Sequence, residues 1–142
     1  MTDDIASHVD GLLHEQTQVR DRGVDLTAAE VYEVTAPGRV DFGGSELTDA
    51  ERTPHDRVRR NEGDDYEWWH LDAGQYLVEY NESVAGDAVL TVQPRCELRE
   101  RGASHPTLTV AELGPVPLSV GGAGIRLKEN ARISTVVDAE RR

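Results

Sequence analysis

From residue 23 onward, short runs of alternating apolar and polar residues follow one another, separated by glycine, proline, asparagine and aspartate. Residues 24–26, 31–34, 39–42 and 75–80 have the β-branched and aromatic content of strands. Residues 88–92, 107–110, 117–120, 124–127 and 132–137 continue the pattern. Pro37-Gly38, Gly43-Gly44, Ala73-Gly74 and Gly86-Asp87 supply the turns. About ten short strands with close connections predict a mainly β fold, a sandwich or a jelly-roll-like barrel. Only the N-terminus has a helical period: Thr2 is placed to cap a short helix with Ile5, Val9, Leu12 and Leu13 on one face. Residues 48–65 have no period and read as a charged surface loop, with Arg57, Arg59 and Arg60 in solvent or facing an acidic ligand.

A length of 142 residues fits one domain over residues 1–142, large enough to bury a core without disulfides. Cys96 is the only cysteine, so no internal disulfide can form. The 27 acidic residues outnumber the 15 basic ones to give a net charge of -12, and Lys128 is the only lysine. A surface that is acidic and favours arginine suits a halophilic protein, kept soluble where concentrated salt screens self-repulsion. The same charge disfavours duplex nucleic acid and anionic membranes, since no basic run offsets it. No apolar stretch reaches the roughly 18 residues of a membrane-spanning helix, and the first residues lack a signal peptide's basic start, so residence in the cytoplasm is the expectation. Gly121-Gly122-Ala123-Gly124 lacks the lysine and βαβ setting of a phosphate-binding loop and reads as a tight turn.

Four segments carry a family pattern in order: Thr17 to Thr27, Tyr66 to Val78, Pro94 to Gly102, and Gly124 to Ser134. The third, Pro94-Arg95-Cys96-Glu97-Leu98-Arg99-Glu100-Arg101-Gly102, resembles a "Pro/Gly-Arg-Ser-Ser-Leu-x-Arg-x-Gly" phosphate motif. The fourth resembles a late "Gly-x-Arg-Ile-Ala-Gln" strand. Over most of residues 1–137 the chain resembles the dCTP deaminase and dUTPase superfamily, especially its archaeal deaminase-like branch. The resemblance implies a distorted jelly-roll of the β-clip type, a homotrimer with sites at subunit boundaries, and processing of deoxynucleoside triphosphates with Mg²⁺.

Against that pattern, the chemistry is altered. Arg95 matches, but Cys96 and Glu97 replace two serine hydroxyls, and Glu100 stands where the second arginine falls in an ungapped reading. A carboxylate there repels phosphate and lacks the guanidinium fork that grips it, although Arg99 or Arg101 would serve after a small register change. Asp25 matches a carboxylate of the nucleotide and Mg²⁺ environment, with a strand-end hydrogen-bond acceptor as its other reading. Ser134 replaces a glutamine near the base. The catalytic stretch is shortened to residues 109–115, where Glu112 is either a substitute general base or a surface acid. The expectation is a superfamily member whose triphosphate chemistry is weakened or lost. The alternatives are an active Mg²⁺-dependent dUTP diphosphatase or dCTP deaminase, and a binding or regulatory protein without catalysis.

Overall fold

The computed structural model describes residues 5–137. Within them the chain forms thirteen strands and two one-turn helices, α1 (Glu15–Gln18) and α2 (Cys96–Arg99). The strands are β1 (Val9–Asp10), β2 (Val19–Arg20), β3 (Gly23–Ala36), β4 (Glu51–Pro54), β5 (Trp68–Leu71), β6 (Gly74–Tyr80) and β7 (Ser83–Val84), followed by β8 (Leu90–Pro94), β9 (Ala103–Ser104), β10 (Leu108–Val110), β11 (Val116–Val120), β12 (Ile125–Lys128) and β13 (Arg132–Val137).

The main sheet runs β10-β8-β13-β3-β6-β11-β9, with β2 and β4 also paired to β3, and it curls into a half-barrel. Two small sheets, β1 with β7 and β12 with β5, complete the framework. Strand β3 is the spine. Its first half pairs with β13 and is buried from Val24 to Ala28, while its second half pairs with β6 and β4 and emerges into solvent. The core is mostly aliphatic: Trp69 is fully buried in one cluster with Leu26, Val31, Val78, Leu118 and Ile133, and Tyr76 and Tyr80 add two more buried rings. Strand alternation accounts for this, since Trp69 and Leu71 point inward while His70 faces solvent. Trp68, on the opposite face from Trp69, is half-buried under Arg60 and Lys128.

Three sequence expectations are corrected. Among the described residues the helix predicted from Thr2 covers residues 5–6 and stops there, where a turn from His8 N–H to the Ile5 carbonyl closes it. Val9 then enters β1 opposite Val84, with Ile5 and Val9 buried and Leu13 exposed; Thr2 lies outside the described residues. Residues 39–42 are not a strand: the Asp41 carboxylate accepts the Gly44 and Glu46 N–H groups and folds the segment into a turn, leaving Val40 and Phe42 exposed. The supposed loop at 48–65 contains β4, whose four residues are all exposed and are a strand only because β3 extends far enough to pair with them.

Candidate functional site

Sheet register assembles a charged cleft at the junction of β8, β13 and β3. Thr135 pairs with Asp25 and Ser134 with Pro94, so Asp25, the residues after β8 and the middle of β13 converge. A β-bulge between Arg132 and Ser134 changes what β13 presents. Strict alternation would put Arg132 and Ser134 on one face. With the extra residue, Arg132 and Thr135 both reach Asp25, and Ser134 faces the interior.

Asp25 organises the floor. Its Oδ1 accepts the Thr135 hydroxyl at 2.9 Å; its Oδ2 lies 3.0 Å from Arg132 Nη1 and 3.5 Å from Arg95 Nε. The side chain is only 4% exposed, so this carboxylate is held by a hydroxyl and two guanidiniums in place of water. Arg95 also donates from Nη1 to the Arg132 carbonyl at 3.1 Å, and its Nη2 sits 3.2 Å from Glu97 Oε2. Glu97 is 58% exposed and closes over the solvent side of that guanidinium. Its own backbone N–H, then Arg95, hold the Glu97 carboxyl below the usual carboxylate range.

Above this floor lies a cleft of about 690 Å³, within the size range of small-molecule pockets. Arg20, Asp21 and Arg22 line it from the turn between β2 and β3, with Cys96 and Arg99 contributed by α2. Arg99 Nη2 is 3.1 Å from Cys96 Sγ. Leu98, buried, anchors that helical turn to the core, and Gly102 ends the segment at a φ of 95°.

The sequence candidates divide accordingly. Asp25, Arg95, Cys96, Glu97 and Arg99 share the cleft. Glu100 and Arg101 are exposed beside it, 3.8 Å apart, and Arg101 donates to the Glu97 carbonyl. Glu112 is exposed between β10 and β11 and does not line the cleft of its own chain. Ser134 is fully buried: its hydroxyl lies 2.6 Å from Tyr80 Oη and 2.7 Å from His105 Nε2. His105 Nδ1 is 2.8 Å from the Pro106 carbonyl, which can only accept, so Nδ1 carries the proton. The chain of donation then runs from Tyr80 to Ser134 to His105 Nε2. Burial pushes the Tyr80 hydroxyl up to about 12, and burial lowers His105 while the Pro106 carbonyl opposes it.

A second group supports the floor from behind. Glu82, also buried, accepts the Thr27 N–H and hydroxyl and the Gln18 amide. The same Gln18 Nε2 donates to the Asp25 carbonyl at 2.9 Å, while its Oε1 accepts the Leu13 and His14 N–H groups. The N-terminal segment is thereby tied to the backbone of the central carboxylate. Among the described residues, no group of three His, Cys, Asp or Glu side chains is placed to hold a metal ion.

No family model matches the chain. It is 32% identical over 126 residues to a probable deoxyuridine 5'-triphosphate nucleotidohydrolase of Methanosarcina acetivorans, covering 83% of this chain and 70% of that protein. A protein of the same description from Methanococcoides burtonii is 32% identical over 106 residues, 70% of this chain and 56% of the relative. The fold is similar to that of 2'-deoxycytidine 5'-triphosphate deaminase from Agrobacterium tumefaciens, with a TM-score of 0.59 at 15% identity, over 92% of this chain and 43% of that one. A mainly antiparallel half-barrel of this jelly-roll type, together with relatives at this identity, shows that the chain belongs to the dCTP deaminase/dUTPase superfamily.

Proposed function

We propose that this superfamily member keeps the phosphate cleft in place but carries out deoxynucleoside triphosphate chemistry weakly or not at all. The observation behind this reading is the double pairing of Arg95, with Asp25 at 3.5 Å and Glu97 at 3.2 Å. A triphosphate needs uncommitted donors and net positive charge. Here the motif arginine already has one carboxylate on each side. A phosphate oxygen about 4 Å from the Glu97 carboxylate would be opposed by about 1 kcal/mol in water and about 4 kcal/mol at an effective dielectric of 20. Glu97 is well exposed, which places the penalty toward the lower figure, yet the cleft must still lose that carboxylate from Arg95 before phosphate can take its place.

The residues do not fit a protein-held Mg²⁺. Both Asp25 oxygens face donors, and a divalent ion there would have to displace a guanidinium. Glu112, with no place in its own chain's cleft, would act as a base only across a subunit boundary. The proposal therefore includes the homotrimer, cytoplasmic residence and tolerance of concentrated salt as properties to be tested alongside activity. Among the described residues, no helix is long and apolar enough to cross a membrane.

Incubation of the protein with dUTP and dCTP and Mg²⁺ in concentrated salt, followed by product analysis, tests this reading. Intact nucleotides, with the protein folded and its assembly state measured by size-exclusion with light scattering, are the expected result. Release of pyrophosphate from dUTP, or a uracil nucleotide from dCTP, at ordinary enzymatic rates would overturn it and support the active alternative.

A further inference from the structure

The chain has no basic run and a net charge of -12, yet the fold gathers cations from separate segments over the small ribbon of β5 and β12. In that ribbon Lys128 pairs with Trp68 and Arg126 with His70. Alternation sorts the side chains. Trp69, Leu71 and Leu127 are buried in the core, so Trp68, His70, Arg126 and Lys128 lie on the opposite, outer face. The ladder runs one residue further, through the bond from the Glu129 N–H to the Glu67 carbonyl. These two acids alternate away from the outer face, and Arg57 holds both, at 3.7 Å from Glu67 and 2.9 Å from Glu129.

Two rings share the outer face with these cations. Lys128 Nζ lies 5.8 Å from the centre of the Trp68 ring and 5.9 Å from that of Tyr66, and the Arg60 guanidinium lies 5.5 Å from the Trp68 ring. A bridge between Val58 and Trp68 brings the Arg59-Arg60 segment over the ribbon. Among the described residues no ion pair involves Arg59, Arg60, Arg126 or Lys128. Of the acids in the adjoining loop, Asp64 accepts the Asn61 N–H and closes a turn, while Glu62 and Asp65 are exposed. Cations without carboxylate partners thus stand around an exposed tyrosine and a half-buried tryptophan.

We propose that the outer face of the β5–β12 ribbon binds single-stranded nucleic acid, with bases against Tyr66 and Trp68 and phosphates against Arg60, Arg126 and Lys128. A partner that uses both features needs a π-face and negative charge in alternation, and an unpaired strand has both at every nucleotide. A duplex hides its base faces, and an acidic peptide offers carboxylates without rings. The net charge of -12 opposes the approach of any polyanion. Salt near 1 M shortens the screening length to about 3 Å, which removes repulsion from remote acids and leaves ring contacts intact. The proposal holds whether or not the cleft turns over nucleotides.

Fluorescence anisotropy of a labelled oligothymidylate, at one fixed salt concentration, measures binding to the folded protein. Quenching of tryptophan emission in the same titration reports a base at Trp68, since Trp69 is enclosed in the core. Binding with quenching is the expected result. The double variant Arg126→Gln/Lys128→Gln and the single variant Tyr66→Ala, all at exposed positions, should each weaken it about tenfold or more. Arg52→Gln, an exposed arginine on β4 away from the ribbon, should change it less than about twofold. Absence of binding to the wild type, or an equal loss in the Arg52 variant, would overturn the proposal. So would equally tight binding of a duplex or of polyglutamate of the same length. A loss in Arg99→Gln with the ribbon variants unchanged would move the strand to the cleft and overturn it as well.

Discussion

The two faces of β13 hold polar groups in opposite ways. On the cleft side, Arg132 and Thr135 join Asp25, Arg95 and Glu97 in a chain of opposite charges that reaches solvent. On the inner side, Ser134 links Tyr80 to His105 through neutral hydrogen bonds in the core. A serine beside a histidine reads as a nucleophile with its base in many proteins. Here the Ser134 proton points to a buried ring and no cleft reaches it, so the pair serves packing. The charged face is the one a ligand can meet, and its chemistry is limited by how completely its charges are paired.

Removing the centre of the charged face should have the largest effect. Asp25→Asn keeps the shape but leaves Arg95 and Arg132 without their shared carboxylate. We expect a loss of about 3 kcal/mol in a denaturant unfolding curve, the scale of a broken buried ion pair. A loss below about 1 kcal/mol would mean that the cluster contributes little to the fold. On the neutral face, Ser134→Ala strands the Tyr80 donor and the His105 acceptor together and should cost about 2 kcal/mol by the same measurement.

The neutral face should also respond to acid. The folded protein holds His105 below its ordinary value of 6.5. Above that value both the folded and unfolded states are neutral and the full stability is present. As the pH falls through 6.5 the unfolded chain takes up the proton first, so stability is lost from there down to the folded value. His105→Gln, compared with the wild type across pH 5–7, should show a shallower loss with acid, and an identical slope would mean that His105 plays no part in it. The smallest effect belongs to the surface pair of Arg57 and Glu129, 2.9 Å apart but partly exposed. Arg57→Ala should lower stability by about 0.5 kcal/mol, less in added salt.

Much of the fold was legible in local pattern. The β6, β11 and β13 predictions fall within one residue of the observed bounds, because each strand has one buried face and its apolar residues alternate or nearly so. Strand β4 was not, since Glu51-Arg52-Thr53-Pro54 has no apolar face and exists as a strand only by pairing with a distant partner. Residues 39–42 failed in the other direction: Val40 and Phe42 alternate like a strand, but one aspartate side chain captures two backbone N–H groups and bends the chain.

The cleft shows the same division. Motif order pointed to Asp25, Arg95 and Glu97. Nothing local revealed that a bulge would turn Arg132 toward Asp25 and Ser134 away from it. Glu82 escaped altogether and Gln18, though inside the first family segment, was given no role, because the bonds that tie Glu82 to Thr27 and Gln18 span 55 and 64 positions. Arg20 and Arg22 were not singled out within the first family segment, and the β2–β3 turn places them at the cleft.

If Glu97 and Asp25 together hold Arg95 away from phosphate, removing the outer carboxylate alone should open the cleft. Titration of wild type and Glu97→Ser with dUTP in the same buffer compares the two cases, since the change takes away that carboxylate and supplies a hydroxyl while leaving the buried pair intact. At least tenfold tighter binding is expected in the variant. Equal affinity in the two proteins would show that Glu97 does not guard Arg95 and that the double pairing does not limit the cleft.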